Sequence, residues 1–186
     1  KLSIQGAGIM GRPSVSAELF DTLSKANINI RLIATSEIKI SCVIDIENIA
    51  KAIRYVGEKF KLSDKQIMIN PEFKNSNQPE VRGIALDKNQ VQISFRKLPD
   101  KPGVAASICL ALAERNLIFD TIVQSERTTL AKTKDISLTM SKQDRQKANP
   151  IFDSLTKKLE GSYIEDGPAI AKVSTVGAGM AFRVGT

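Results

Sequence analysis

The sequence predicts an α+β fold of tandem β-α-β-β-α-β modules whose sheets pair side by side. Three observations lead there: the chain repeats itself, its apolar spacing alternates between strand and helix periods, and each repeat is too small to stand alone. Pro13, Val15, Ala17, Leu23 and Asn27 return 89 positions later as Pro102, Val104, Ala106, Leu112 and Asn116, and Ser36-Glu37 returns as Ser125-Glu126. Lys1-Leu2-Ser3-Ile4-Gln5-Gly6-Ala7-Gly8 returns 171 positions later as Lys172-Val173-Ser174-Thr175-Val176-Gly177-Ala178-Gly179, with Arg12 matching Arg183. The expected units are a first module over 1–80, a second over 81–170, and 171–186 as the first strand and loop of a truncated third. A lone module of about 85 residues buries roughly 60% of its unfolded surface and leaves open sheet edges, so modules should pair, within one chain or between chains.

In the first module, 1–5 reads as a short strand and 6–13 as a glycine-rich loop. Val15, Leu19, Leu23 and Ala26 share one face of a helix over 14–25. Ile28-Asn29-Ile30-Arg31-Leu32 alternates as a strand, and the β-branched segment 38–44 is a second. Ile46, Ile49, Ile53, Val56 and Phe60 mark another amphipathic helix, and 66–70 is a candidate closing strand. The second module shows strands over 91–95, 117–123 and 136–140, a helix over 104–114, and a second helix within 143–159. There Pro150 either kinks the helix or starts it, with Asn149 as the cap. The polar run Asn75-Ser76-Asn77-Gln78-Pro79 is the linker.

Composition removes several functions. Apolar residues make up 42% and charged residues 25%, the balance of a globular protein. No apolar run approaches the ~18 residues of a membrane span, and no signal peptide opens the chain, so no membrane partner is expected. Histidine is absent, which excludes imidazole catalysis and His-ligated metal in this segment. Cys42 and Cys109 lie inside apolar runs and read as small buried side chains in a reducing, cytoplasmic setting. The net charge is +7, but basic and acidic residues interleave, which describes a mixed solvated surface rather than a nucleic-acid partner.

Gly6-Ala7-Gly8-Ile9-Met10-Gly11 carries the spacing of a dinucleotide-binding turn. Pro13 would break the helix that such a turn opens, and suits the first turn of a helix starting later. No acidic residue stands about 20 positions on to meet a ribose, although Arg31 keeps the spacing of a phosphate-binding variant. The returning copy has Phe182 where the third glycine belongs, which argues against a nicotinamide cofactor. Single-stranded RNA binding on the sheet face would need exposed aromatics on the central strands; 1–5 and 38–44 hold none.

The strand-to-helix loop Leu98-Pro99-Asp100-Lys101-Pro102-Gly103-Val104 and its counterpart Met10-Gly11-Arg12-Pro13-Ser14-Val15 remain. A helix N-terminus suits a small carboxylate, and Asp100 just ahead of it suits an ammonium, which together describe a receptor for a free amino acid. Spacing alone favours a plainer reading, in which Asp100 caps a turn and Gly103 permits it.

Thr35-Ser36-Glu37-Ile38-Lys39-Ile40-Ser41, preceded by Asn27-Ile28-Asn29-Ile30, resembles the regulatory ACT modules of aspartate kinases. So do Asp100-Lys101-Pro102-Gly103-Val104-Ala105-Ala106 and the segment 133–137. Lys172 to Met180 resembles the opening of a further module in that family. The resemblance implies ferredoxin-like βαββαβ modules, a catalytic domain upstream that uses ATP and magnesium, and no cofactor within this segment. It implies that lysine, threonine or both bind between ACT modules and feedback-inhibit phosphorylation of L-aspartate, in a homo-oligomer assembled through those modules. Carried over residue by residue, the effector contacts are Asp100, Gly103, Ala105 and Gln124 on one module, with Ser16, Asn29, Ile30, Thr35, Ser36 and Glu37 facing them. Two departures stand out. Ile118 occupies a place where the family often has Asn, and Gly11 replaces the acid of Asp100 in the first module, which makes that module the facing wall. The alternative is an ACT-like dimerisation module of another metabolic enzyme, without a ligand.

Overall fold

The computed structural model describes residues 1–6, 9, 12–36, 38–67, 83–126, 133–159 and 161–176. The first module consists of β1 (Leu2–Gln5), α1 (Pro13–Lys25), β2 (Leu32–Ser36), β3 (Lys39–Val43) and α2 (Ile49–Phe60). The second consists of β4 (Gly83–Pro99), α3 (Val104–Ala113), β5 (Phe119–Glu126), β6 (Thr133–Ser141), α4 (Lys142–Lys158) and β7 (Tyr163–Val176). Single 3-10 turns stand at Ile46–Asn48 and Asp64–Gln66. The latter occupies the start of the expected closing strand 66–70, whose residues 68–70 lie outside the described residues. So do Gly11, Glu37, the linker 75–79 and Phe182.

The strands form one antiparallel sheet in the order β1-β3-β2-β5-β6-β4-β7. The modules are joined edge to edge through β2 and β5, with Ile33 opposite Gln124 and Ala34 opposite Val123. The pairing expected from module size is therefore made within this chain. Helix α1 lies against α3 and α2, and α3 against α4. Leu19, Phe20 and Leu23 of α1 and Ile108, Cys109 and Leu112 of α3 are buried together with Ile33, Ile40 and Ile122 of the sheet. Phe95 and Phe152 meet edge to face at 5.2 Å, fixing α4 on the second module. Alternation fixes the phase of each strand: Ile33, Ile40, Cys42, Ile122 and Ile136 face the helices, whereas Leu32, Val43 and Val123 are exposed.

The repeated Asn27 and Asn116 share one backbone role. Both have φ of +53° just after a helix, a left-handed turn that Asn tolerates better than most residues. The following N–H groups then bond back into the last helical turn, Ile28 to Leu23 at 2.9 Å and Leu117 to Leu112 at 3.0 Å.

Pro13 is the first residue of α1, where its missing N–H has no helical carbonyl to lose. Pro150, by contrast, lies inside α4. Asn149 is not the cap: Ser141 is, its Oγ accepting the Asp144 N–H at 3.1 Å, while Asn149 accepts from Arg145. The expected strand 28–32 is also displaced, since residues 28–30 join no strand ladder among the described residues and β2 begins at Leu32. The physical reason is that the Ile30 carbonyl is claimed by two side chains, Gln124 and Lys134, instead of a neighbouring strand. Strand β5 likewise starts two residues later than expected, and β7 runs unbroken across position 170.

Both cysteines are fully buried and free. Burial pushes the Cys42 thiol up to about 12; burial first and the neighbouring Cys42 second push Cys109 up as well. They are packing groups rather than nucleophiles.

Candidate effector pockets at the module interface

Because the modules repeat and pair edge to edge, their seam has an approximate two-fold axis. The 89-residue spacing carries Ile33 onto Ile122 and Thr35 onto Gln124, the residues meeting at the seam: the Ile122 N–H donates to Thr35 Oγ1 at 2.9 Å. A pocket lies on each side of that axis. Each is bounded by the helix start of one module and by the segment entering the second strand of the other.

The first pocket is built on the start of α3, with Gly103 and Ala105, and on Asn29, Ile30 and Gln124. Gly103 has φ of +93°, a left-handed conformation that favours glycine; a Cβ there would also sit 2.8 Å from Ser24 Oγ, a contact that rotation of the hydroxyl relieves. Gln124 is buried and donates from Nε2 to the Ile30 carbonyl at 2.6 Å and the Arg31 carbonyl at 3.2 Å. Asp100, the expected ammonium site, accepts from Asn29 Nδ2 at 2.8 Å. It already holds an ammonium: Lys134 Nζ lies 2.6 Å from Asp100 Oδ1. The same Nζ donates to Asn29 Oδ1 at 3.2 Å and to the Ile30 carbonyl. Partial burial pushes the Asp100 carboxyl up, but hydrogen bonds from Asn29 and Lys134 and the charges of Lys134 and Arg31 outweigh it and hold the group below its ordinary range. About 10 Å³ of free space remains, room for roughly one water.

The second pocket is open, with a volume of about 390 Å³, within the ordinary range for small-molecule sites. Its lining reproduces the first through the repeat: Arg12 stands for Lys101, Ser16 for Ala105, Thr35 for Gln124, Ile118 for Asn29 and Phe119 for Ile30. Further walls come from Asp87 and Gln90 of β4, Asp120 of β5, and Ser141 and Asp144 where β6 meets α4. Asp120 is paired with Lys172 at 2.6 Å. Gln90 is 7% exposed; its Nε2 donates to Asp87 Oδ2 at 2.8 Å, which fixes the amide and leaves the buried Oε1 without a hydrogen-bond partner among the described residues. Hydrogen bonds from Gln90 and the Asn89 N–H lower the Asp87 carboxyl. The carboxylates do not converge on a metal: among the described residues no acidic or cysteine cluster could hold one.

The residues expected to form one effector site are thus divided. Asp100, Gly103, Ala105, Gln124, Asn29 and Ile30 gather at the first pocket, whereas Ser16, Thr35 and Ser36 line the second. Glu37 lies outside the described residues. Ile118, the apolar departure, belongs to the second pocket as the counterpart of Asn29. Sequence reasoning missed Lys134, Gln90, Asp87, Asp120 and Asp144. A signal for Lys134 existed: it is in phase with Ile136, Leu138 and Met140, all buried on one face of β6.

Fold and pockets together define a pair of ACT-type modules joined through their sheets, with ligand-sized room between them. A family model described as ACT domain matches residues 2–60. The crystal structure of aspartate kinase from Synechocystis superposes with a TM-score of 0.84 at 40% identity, covering 96% of this chain and 30% of that one. The ligand-free regulatory subunit of aspartate kinase from Thermus thermophilus matches at 34% identity and a TM-score of 0.52, covering 57% of this chain and 68% of the subunit. The aspartate kinase of Pseudomonas putida is 28% identical over 150 residues, 78% of this chain and 36% of the relative. The chain belongs to the regulatory ACT regions of the aspartate kinase family, and it spans about a third of the length of that Pseudomonas relative.

Proposed function

We propose that this chain is the amino-acid-sensing region of an aspartate kinase, in which lysine or threonine bound between ACT modules restrains phosphorylation of L-aspartate by ATP. ATP and magnesium belong to the catalytic domain of such a kinase, a cytoplasmic enzyme assembled as a homo-oligomer through its ACT modules. The observation that carries the reading is the open second pocket, whose chemistry suits a zwitterion. Arg12 and the start of α1 favour a carboxylate, while Asp87 and the Gln90 Oε1, unpartnered among the described residues, favour an ammonium; Asp120 and Asp144 already face Lys172 and Lys147. Because both modules line that cavity, a ligand there favours one arrangement of the seam, with a coupling of about 1–3 kcal/mol to distant activity.

A second reading has its own observation. The filled first pocket ties the modules together without any ligand, as a pure pairing module would be. Melting curves of the intact chain with each of the twenty amino acids separate the two. Lysine or threonine should raise the melting temperature by mass action. No shift with any amino acid at tens of millimolar would leave the pairing module as the better account.

A further inference from the structure

We infer that Lys134 is a built-in occupant of the Asp100 pocket, a tethered ammonium that closes this pocket to free amino acids. The argument is geometric. A free amino acid held by Asp100 would place its ammonium against that carboxylate, the Asn29 side-chain oxygen and the Ile30 carbonyl. Lys134 Nζ already meets all three. Its side chain is 5% exposed, so this ammonium is not a surface group resting on the pocket but part of its floor. The neutralised Asp100 has no further positive charge to attract, and the remaining free volume of about 10 Å³ is too small for an amino acid.

The other side of the two-fold axis shows what the lysine does. Thr35 pairs with Ile40 in the first module as Gln124 pairs with Ile136 in the second. Two residues before these partners stand Ile38, in the turn that leads into β3, and Lys134, within β6. Ile38 carries no ammonium, is 50% exposed, and does not line the second pocket, which stays open. Lys134 is thus the charged member of a small set of matched side chains, with Asn29 against Ile118 and Gln124 against Thr35, that separate a closed pocket from an open one.

The inference is tested by returning the missing fragment. Lys134→Ala in the intact chain deletes a group equivalent to propylammonium, and its melting temperature should fall by roughly 5–10 °C because Asp100 loses its cation. Propylammonium chloride at tens of millimolar should restore several degrees to this variant and nothing to the parent chain, while 1-propanol should restore neither. Adding Asp100→Asn to Lys134→Ala should abolish the rescue. Should Lys134→Ala not fold, Lys134→Met keeps the stem and removes the charge, and ammonium chloride replaces propylammonium as the probe. Equal rescue by the alcohol would mean that the lysine only fills space, and an equal response of the parent chain would mean that the pocket is open; either overturns the inference. Propylammonium bound at the second pocket would shift variant and parent alike, so the rescue is read as the variant's shift minus the parent's and succeeds or fails independently of amino-acid sensing there.

Discussion

The two pockets at the seam occupy equivalent places in a repeated scaffold, yet one is filled by the chain and the other is open. The first joins a buried lysine to a partly buried aspartate and leaves room for about one water. The second keeps about 390 Å³ and a glutamine oxygen without a partner among the described residues. Backbone topology does not distinguish them, since both combine a helix start with the approach to a second strand. The difference lies in side chains at matching positions: Lys134 against Ile38, Asn29 against Ile118, Gln124 against Thr35. Unsatisfied polarity marks a place that gains by binding; satisfied polarity marks a place that holds the fold.

That contrast is easiest to break at Asp100. Asp100→Ala should destabilise the chain by about 3 kcal/mol, because it strands the buried Lys134 ammonium without its carboxylate. Urea unfolding measures this directly, and a loss under 1 kcal/mol would mean that the pair contributes little.

The next effect is its pH signature. Asp100 titrates below its ordinary range, so its stabilising contribution is present at neutral pH and is lost as pH falls through the depressed value. Stability of the parent chain should therefore decline with acidification below pH about 4, and more steeply than that of Asp100→Asn, which has no carboxyl to protonate there. Parallel slopes for the two proteins would remove Asp100 from the acid response.

Much of this architecture was legible in the sequence, and the exceptions have physical reasons. Helices α1 and α3 follow from apolar spacing, Pro13 and the repeated Asn caps. Residues 28–30 alternate like a strand, but alternation reports burial and not hydrogen bonding, and the Ile30 carbonyl is bonded to side chains. Pro150 looked like a boundary because a proline removes one helical bond; the other turns of α4, capped by Ser141 and anchored by Phe152, outweigh that loss. The candidate site was legible in its residues but not in its partition. Ser16 maps onto Ala105 and Thr35 onto Gln124 through the repeat, and residues related by a two-fold axis line opposite pockets unless they lie on it. Lys134 escaped because β6 was expected to begin at Ile136, which left an inward-facing lysine assigned to a loop.

Calorimetric titration with lysine and threonine of the parent chain, Asp100→Ala and Gln90→Met tests the central claim most directly. The second pocket being the open one, Gln90→Met should weaken the bound amino acid by about tenfold, the value of roughly one hydrogen bond to a charged group. Asp100→Ala should leave affinity unchanged despite its lower stability. The reverse pattern, affinity lost with Asp100 and kept without Gln90, would place the effector in the pocket that Lys134 fills and contradict the account.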